Sequence, residues 1–446
     1  MWEASMPEVT DLLLERAAAA VDLAKAAGAA HVQANTYQNR NVEFNLRDGI
    51  LEKVQEDVRR GVNLALYVDG RYSTHSTSDL RPDSLQSFVA EAVAMTRVLA
   101  PDPDRALPDA ALYPGGAAPA LDIVDRTVPT LDRTARIDRL KAMEAGLTGH
   151  EDVISWSAGS NDSERFSAVV NTNGLSASQH DTSIWCGAEV TLQDPNGARP
   201  EDWYWGGGHH VANLPSSEEV AKRCLELARA RVGSGKGPTV KATMIVDPRS
   251  SGRLVSRLLG SASARSIQQG RSFWSDSIGK KRFSDVLSFA DDPLRPGGLS
   301  SRAYDGEGLA AQRRPIIEQG VVKNLYVDSY YGRKLGMAPT SGGRSNLEWV
   351  TGDRDLAAIL ADVDDAIYVT SWLGGNADST TGDFSFGLRG HRITGGKLGP
   401  PIGEMNVTGN LIDLFSALVE VGSDPYAYSS SYCPTLVFDG VQFSGA

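Results

Sequence analysis

Cysteine, histidine and basic charge are all scarce in this 446-residue chain. The three cysteines, Cys186, Cys224 and Cys433, are odd in number and far apart, which is typical of a reducing compartment rather than of a disulfide framework. The formal net charge of -12 disfavours a nucleic-acid-binding surface, which needs a clustered basic face. These absences favour a cytoplasmic protein that does not bind nucleic acid.

Long apolar runs are also absent. No stretch reaches the roughly 18 consecutive apolar residues of a membrane span. The first residues, MWEASMPEVTDLLLE, are acidic and lack the basic region and apolar core of a signal peptide. We therefore expect neither a membrane span nor secretion.

The histidines do not form a metal-binding pattern. No two of them have the i, i+4 spacing that brings two imidazoles to one zinc ion on a helix. His209 and His210 are adjacent, so in a strand they would face opposite sides. The sequence also has no G-x-S-x-G elbow, and Gly233-Ser234-Gly235-Lys236 lacks the spacing of a phosphate-binding loop. We therefore predict no metal site and assign no catalytic residue.

A glycine-rich stretch from residue 371 to residue 410 is the most unusual part of the sequence. Its glycines alternate with Phe, Leu and Ile, which indicates tight turns and close backbone contacts inside a sheet rather than disorder. Residues 394–397, Thr-Gly-Gly-Lys, predict a hairpin turn. The polar side chains of Asn376, Thr381 and Asp383 either line a groove or cap turns.

The pattern of elements predicts an α+β protein. Residues 1–235 are expected to form a mixed N-terminal region of helices and strands, with a Pro- and Gly-rich connection at about 101–122. Residues 236–446 are expected to form a domain of curved antiparallel sheet with a few helices. The predicted helices cover residues 8–28, 78–100, 130–147, 215–232, 250–270 and 410–421.

Strands are predicted between these helices. Residues 41–49, 50–58 and 62–74 predict three separate strands, with turns at Asp48-Gly49 and Asp69-Gly70. Two more strands meet at Asn173-Gly174, and a hairpin is expected at Gln319-Gly320. Residues 433–443 predict a final pair of strands.

Two clusters of residues are candidates for binding. The segment 202–210, DWYWGGGHH, contains Trp203, Trp205, His209 and His210, and is either a binding surface or core plus a turn. Asp305 and Glu307, followed by two arginines at 313 and 314, could orient a peptide backbone or carboxylate, or form a local salt-bridged turn.

Three blocks, in the same order along the chain, resemble the TldD/PmbA family, also called the modulator-of-DNA-gyrase family. They are VNLALYVDGRYSTHSTSDLRPDSLQSFVAEAV (62–93), DGEGLAAQRRPIIEQGVVKNLYVDSYYGRKLG (305–336) and GNADSTTGDFSFGLRGHRITGGKLGPPIGEMNVTGN (375–410). In the TldD type of this family, a helix with the motif H-E-x-x-x-H and a later cysteine hold zinc. The corresponding residues here, 255–260, read VSRLLG, so the chain resembles the TldE/PmbA type.

The resemblance implies a non-catalytic subunit that pairs with a TldD-type subunit to form a peptidase acting on unfolded or modified peptides. Zinc is then expected in the partner, and no cofactor in this chain. An extended peptide would bind by strand addition on the glycine-rich segment. The groove candidates are Asp305, Glu307, Asn376, Thr381, Asp383, Trp203, Trp205, His209 and His210.

Two alternatives remain open at this stage. The chain could be a homodimeric peptide-binding or scaffolding protein without peptidase activity. It could instead be a stand-alone hydrolase with an atypical metal site that uses His209, His210 and Cys433. In isolation, the chain could also form a homodimer.

Overall fold

The computed structural model describes residues 6–115 and 119–445. Their α-helices are α1 (Met6–Ala26), α2 (Pro82–Thr96), α3 (Arg133–Leu147), α4 (Ser217–Arg229), α5 (Pro248–Gly260), α6 (Ala264–Gln268), α7 (Ser329–Leu335), α8 (Leu356–Asp362) and α9 (Leu411–Ser416). Short 3-10 turns span Ala110–Leu112, Val128–Thr130 and Val211–Asn213. None of the described helices is long and apolar enough to cross a membrane.

The N-terminal half is built on one antiparallel sheet in the order β3-β2-β1-β4-β5-β6. Its strands are β1 (His31–Arg47), β2 (Ile50–Val68), β3 (Arg71–Thr77), β4 (Val153–Asn171), β5 (Ser176–Leu192) and β6 (Glu201–Gly208). Successive side chains of a strand point to opposite faces. Val32 and Ala34 of β1 therefore pack under the helices, whereas Gln33, between them, faces the C-terminal half and donates to Gly306 O.

The C-terminal half contains a sheet that closes on itself. Strand β15 pairs with both β13 and β16, so the ring β13-β8-β18-β16-β15 is complete. The strands of this sheet are β7 (Gly235–Lys236), β8 (Val240–Val246), β13 (Asp365–Trp372), β14 (Asn376–Ala377), β15 (Asp383–Thr394), β16 (Lys397–Asn410), β17 (Leu418–Val421) and β18 (Leu436–Gly445). Phe386, Phe438 and Phe443 of this sheet are fully buried in the largest core.

A small third sheet, in the order β11-β10-β9-β12, lies in the C-terminal half. Its strands are β9 (Phe289–Asp291), β10 (Arg314–Glu318), β11 (Val321–Val322) and β12 (Leu347–Trp349). The mixture of helices with separate sheets confirms the predicted α+β class.

The connection at 101–122 lies against α7. The Tyr330 hydroxyl donates to Asp102 Oδ2 at 2.7 Å, and Arg333 donates to the carbonyl oxygens of Asp104 and Ala106. Residues 116–118 of this connection lie outside the described part of the chain. The segment between 101 and 108 therefore joins the two halves through defined contacts.

The predicted turns are confirmed where two consecutive residues adopt positive φ. Asp48-Gly49, Asp69-Gly70, Gln319-Gly320 and Gly395-Gly396 all do so, with φ between 44° and 82°. Such pairs match the twist of the strands that they connect.

Four differences from the predicted elements concern how the chain is divided into helices and strands. Residues 50–58 and 62–68 form a single strand, β2, because Arg59, Arg60 and Gly61 continue its pairing with β1. The helix predicted over 250–270 breaks between α5 and α6, where the Ser263 side chain accepts from Ser266 N and caps the second helix. The break also lets Ala264 N donate to Tyr326 O.

The other two differences lie near the C-terminus. The helix predicted over 410–421 ends at Ser416, because Leu418 and Val421 pair with β18 instead. The predicted strand pair over 433–443 is one strand, β18, with an irregularity between Phe438 and Val441. Gly440, with φ of 64°, forms a bulge there and does not turn the chain.

Candidate functional site

The turn at Asp305–Gly308 lies between the N-terminal sheet and the C-terminal half. Asp305 Oδ1 accepts from the backbone N–H groups of Glu307 and Leu309, each at 3.0 Å. Gly308 has φ of 85°, and a side chain there would lie 2.2 Å from Leu175 Cδ2. Arg313 pairs with Glu348 rather than with this turn. Backbone donors, rather than a local salt bridge with Arg313, therefore hold the turn.

Glu307 is a largely buried carboxyl at the edge of two cavities. Its Oε2 accepts from Ser329 N, the first residue of α7, at 2.8 Å. Burial raises the pKa of Glu307, and the neighbouring carboxylates of Asp305 and Asp328 raise it further. The second oxygen of Asp305, Oδ2, is enclosed and has no hydrogen-bond partner among the described residues.

One of these cavities measures about 430 Å³ and lies between β4, β5 and the loops of the C-terminal half. Asp305 and Glu307 line it together with Ser167, Gln179, Arg302 and residues 341–343. The Arg302 guanidinium donates to the carbonyl oxygens of Arg344 and Gly343. The structure therefore brings Asp305 and Glu307 together in one cavity.

The other cavity, of about 220 Å³, lies on the far side of Gly306 and Glu307. Amide side chains of the N-terminal sheet form one wall. These are Gln33, Asn35 and Asn63, and the last two are directly opposite each other on β1 and β2. The opposite wall comes from residues 105–108 and Tyr330. Together the two cavities form the candidate site, and they share only the turn at 306–307.

Asn376 lies in β14, Thr381 and Asp383 lie at the start of β15, and none of the three lines either cavity. Thr381 Oγ1 donates to Asp383 Oδ2 at 2.8 Å, and Asn410 Nδ2 donates to Asp383 Oδ1 at 2.9 Å. Hydrogen bonds from Asn410 and Thr381 lower the pKa of Asp383. Asp378 caps the same turn through Thr380 N and Thr381 N. Thr381 and Asp383 therefore stabilise a turn, whereas Asn376 pairs with Ser385 in the sheet.

Both edges of β15 are already paired, with β13 on one side and β16 on the other. Strand addition needs a free edge. An extended peptide cannot pair with β15 along these stretches. Strand addition on the glycine-rich segment would therefore have to use a strand other than β15.

The aromatic segment 202–210 is divided between β6 and the turn after it. The Trp205 ring packs over Gly159 and Gly187, where an added side chain would approach it to 2.6 Å and 2.3 Å. Trp203 is 48% exposed, with the Arg249 guanidinium 5.1 Å from its ring. Neither tryptophan lines the two cavities at Glu307.

The two histidines contact backbone oxygens. Both nitrogens of the buried His209 ring are engaged, Nδ1 with Thr182 O at 2.7 Å and Nε2 with Gly298 O at 3.0 Å. His210 Nε2 lies 2.9 Å from Asp122 O. His209 therefore connects the N-terminal sheet to the C-terminal half.

The residues present do not fit an intrinsic zinc site. Across 6–115 and 119–445, no three His, Cys, Asp or Glu residues are grouped closely enough to hold a metal ion. Cys433 is buried in the C-terminal core, where burial raises the pKa of its thiol. Helix α5 presents Val255, Leu258 and Leu259 to that core. A site made of His209, His210 and Cys433 is not present in this geometry.

Sequence reasoning missed the residues of the smaller cavity, above all Arg105, Tyr72 and Tyr330. They are distant in sequence: Arg105 belongs to the connection at 101–122, Tyr72 to β3 and Tyr330 to α7. One signal was available, because Gln33 and Asn35 alternate with the apolar Val32 and Ala34. Amides at alternate positions of a strand indicate a polar contact on the second face of the sheet.

Three family models match successive parts of the chain. Residues 37–96 match PmbA/TldA metallopeptidase domain 1, residues 126–232 match the central domain, and residues 239–445 match the C-terminal domain. The metalloprotease PmbA of Escherichia coli O157:H7 is 26% identical over 411 residues, which cover 91% of this chain and 90% of that protein.

Solved structures share the fold over nearly the whole chain. A protein of Bacteroides thetaiotaomicron VPI-5482, named as a modulator of DNA gyrase, has a TM-score of 0.95 and 36% identity. The match covers 98% of this chain and 100% of that one. TldE from Thermococcus kodakarensis has the same fold, with a TM-score of 0.83 at 17% identity and coverage of 95% and 99%. The chain therefore belongs to the PmbA/TldD metallopeptidase family.

Proposed function

We propose that this chain is the non-catalytic, TldE/PmbA-like subunit of a TldD/TldE-type zinc metallopeptidase complex that degrades or matures unfolded or modified peptides. The observation that carries the proposal is the composition of α5 between Val255 and Gly260. Three of these six residues are buried and apolar, and the others are Ser256, Arg257 and Gly260. None of these side chains is a usual zinc ligand.

The missing motif is not replaced elsewhere. H-E-x-x-x-H does not occur at any position of the sequence. The histidine that could be recruited most readily, His209, uses both ring nitrogens in contacts with Thr182 O and Gly298 O. A peptidase reaction therefore needs zinc ligands from a second chain, and the TldD type of the same family is the partner that would supply them.

The two cavities around Glu307 support a role in holding the peptide. They lie between the two halves of the molecule, Gly306 and Glu307 line both, and Asp305 lines the larger one. In a binding pocket, a small number of precisely placed polar groups is enough to fix the orientation of a ligand.

The test is to co-express the chain with a TldD-type subunit and to measure association, zinc content and peptide cleavage. We expect a mixed complex with zinc bound to the partner, and cleavage of an unstructured peptide by the complex but not by this chain alone. The matched control is a partner in which the glutamate of H-E-x-x-x-H is changed to glutamine. That complex should assemble but not cleave.

The proposal fails if the chain never associates with a TldD-type subunit. Stoichiometric zinc on this chain alone, with cleavage that a chelator abolishes, would instead support the stand-alone hydrolase. A stable homodimer that binds peptide but ignores every TldD-type subunit would support the scaffolding alternative.

A further inference from the structure

Arg105 lies in the wall of the smaller cavity, held between two aromatic rings. Its guanidinium carbon is 3.4 Å from the centre of the Tyr330 ring and 4.4 Å from the centre of the Tyr72 ring. An arginine stacked on aromatic faces is fixed in orientation and keeps its N–H groups, which lie in the guanidinium plane, available to other partners.

Residues 6–115 and 119–445 provide no acceptor within hydrogen-bond distance of those N–H groups. Within the described residues, the Arg105 side chain makes no hydrogen bond, and the nearest carboxylate oxygen, Asp102 Oδ2, is 4.0 Å from its Nε. Asp102 Oδ2 accepts from the Tyr330 hydroxyl at 2.7 Å, and Asp102 Oδ1 accepts from Asp104 N at 3.1 Å. Asp102 thus fixes the Tyr330 ring, on which Arg105 stacks, but accepts no hydrogen bond from the guanidinium.

Two asparagines of the wall supply neutral polar groups. Asn35 and Asn63 face the cavity from neighbouring strands, and their side chains make no hydrogen bond to described residues. The volume of about 220 Å³ is below the roughly 300–1,000 Å³ of sites for drug-sized ligands. The cavity therefore suits a small polar group or the end of a chain.

We propose that this cavity binds a carboxylate through Arg105, and that the carboxylate is the C-terminus of a bound peptide. The assignment of this carboxylate to a peptide C-terminus rests on the proposed peptide-handling function. A planar guanidinium donates two parallel hydrogen bonds to a carboxylate, and amide N–H groups of the kind that Asn35 and Asn63 present complete such a site. A peptide C-terminus provides this group on every unmodified chain, whatever its sequence.

Glu307 is the one carboxyl that borders this cavity, and it does not oppose the assignment. Because burial raises the pKa of Glu307, its carboxyl is more readily protonated than an exposed glutamate and repels an incoming carboxylate less. When it is ionised, it can accept from the amide N–H of the last peptide residue.

The test measures binding of an unstructured peptide to the chain by calorimetry, without any cleavage. The peptide is used with a free C-terminal carboxylate and with a C-terminal amide. We expect the amide form to bind about tenfold or more weakly, because a neutral amide offers the guanidinium one acceptor oxygen in place of the two charged oxygens of a carboxylate. In Arg105→Gln the two forms should bind equally, at the weaker level.

Two further variants separate binding from folding. Arg60→Gln removes an exposed arginine of β2 that does not line the cavity. This variant should prefer the free-carboxylate peptide over the amide peptide as strongly as the wild-type chain does. Arg105→Lys keeps the charge but loses the planar guanidinium. We therefore expect its preference for the free-carboxylate peptide to lie between those of the wild-type chain and Arg105→Gln. Thermal unfolding of each variant shows whether a loss of binding reflects a loss of fold.

Three results would overturn the proposal. They are no binding of the free-carboxylate peptide, equal binding of both peptides to the wild-type chain, and a preference that survives in a folded Arg105→Gln variant. Acetate that binds through Arg105 while the peptides show no preference would assign the cavity to a small free carboxylate instead. Because the assay needs neither zinc nor a partner, its failure is distinct from a failure to form the peptidase complex.

Discussion

Arg136 of α3 and Asp162 of β4 form a bidentate ion pair in the interior of the N-terminal half. Nε lies 2.8 Å from Oδ2 and Nη2 lies 2.9 Å from Oδ1, with side chains that are 5% and 1% exposed. Arg136 Nη1 also donates to Leu131 O. The pair therefore fixes α3 on the sheet.

Arg136→Met should lower the free energy of unfolding by about 3–5 kcal/mol, because it leaves the Asp162 carboxylate buried with only Arg40 at 3.8 Å. Urea denaturation measures the change. The double variant Arg136→Met/Asp162→Leu should recover most of the loss, since it removes the unpaired charge. Arg223→Met, which breaks an exposed pair with Glu226, is the control and should cost less than about 1 kcal/mol.

Gly187→Ala should destabilise the sheet by about 1–3 kcal/mol, because the new methyl group would lie 2.3 Å from Trp205 Cγ. The measurement combines denaturation with tryptophan fluorescence, which should report a displaced indole. Gly252→Ala in α5 is the control, since nothing lies within 4 Å of its added methyl group. It should be neutral or stabilise by up to about 1 kcal/mol. A neutral Gly187→Ala would contradict the close packing of Trp205.

Glu307→Gln should gain stability relative to the wild-type chain as pH rises. The folded state raises the pKa of Glu307 above its ordinary value of 4.5, so it holds the proton more tightly than the unfolded chain does. The ionised group therefore destabilises the wild-type fold progressively as pH rises from about 4.5 through the raised pKa. Glutamine removes this dependence and keeps an acceptor for Ser329 N.

The measurement is the difference in unfolding free energy between Glu307→Gln and the wild-type chain at pH 4 and pH 8. We expect this difference to shift in favour of the variant at pH 8. Glu348→Gln, which alters a half-exposed carboxylate paired with Arg313, provides the comparison at a surface site. A difference that is constant with pH would show that Glu307 is not perturbed.

The three cysteines should resist thiol reagents in the native protein. All are buried, and burial raises the pKa of Cys186 to about 11 and that of Cys224 to about 12. The thiolate is the reactive form, so modification should require unfolding. Titration with a chromogenic disulfide should detect three thiols in the denatured protein and essentially none in the native protein. Rapid reaction of Cys433 in the native state would reopen its role as a ligand.

Local chemistry made much of the fold predictable. Asp-Gly and Gly-Gly pairs specify turns through positive φ, and these predictions were confirmed. The predicted helix over 410–421 was wrong in its second half because pairing with β18 outweighed the helical pattern of Leu418–Val421. Propensity is a weak prior against such tertiary pairing.

The candidate site was only partly predictable. Asp305 and Glu307 are only two residues apart in sequence, so their grouping could be read directly, and the structure places both on one cavity. Arg105 becomes a candidate only once the connection folds over α7 and brings it between Tyr72 and Tyr330. No local pattern encodes that contact.

The unequal lengths of β2 and β3 affect how the backbone meets solvent. Strand β3 pairs with β2 only from Val62 to Val68, so in the described part of the chain residues 50–61 of β2 have a strand partner on the β1 side alone. Successive amides of a strand point to opposite edges. Deuterium uptake along 50–61 should therefore alternate residue by residue, fast at amides directed outward and slow at those directed towards β1. In the ring around β15, which has neighbours on both sides, this alternation should be absent.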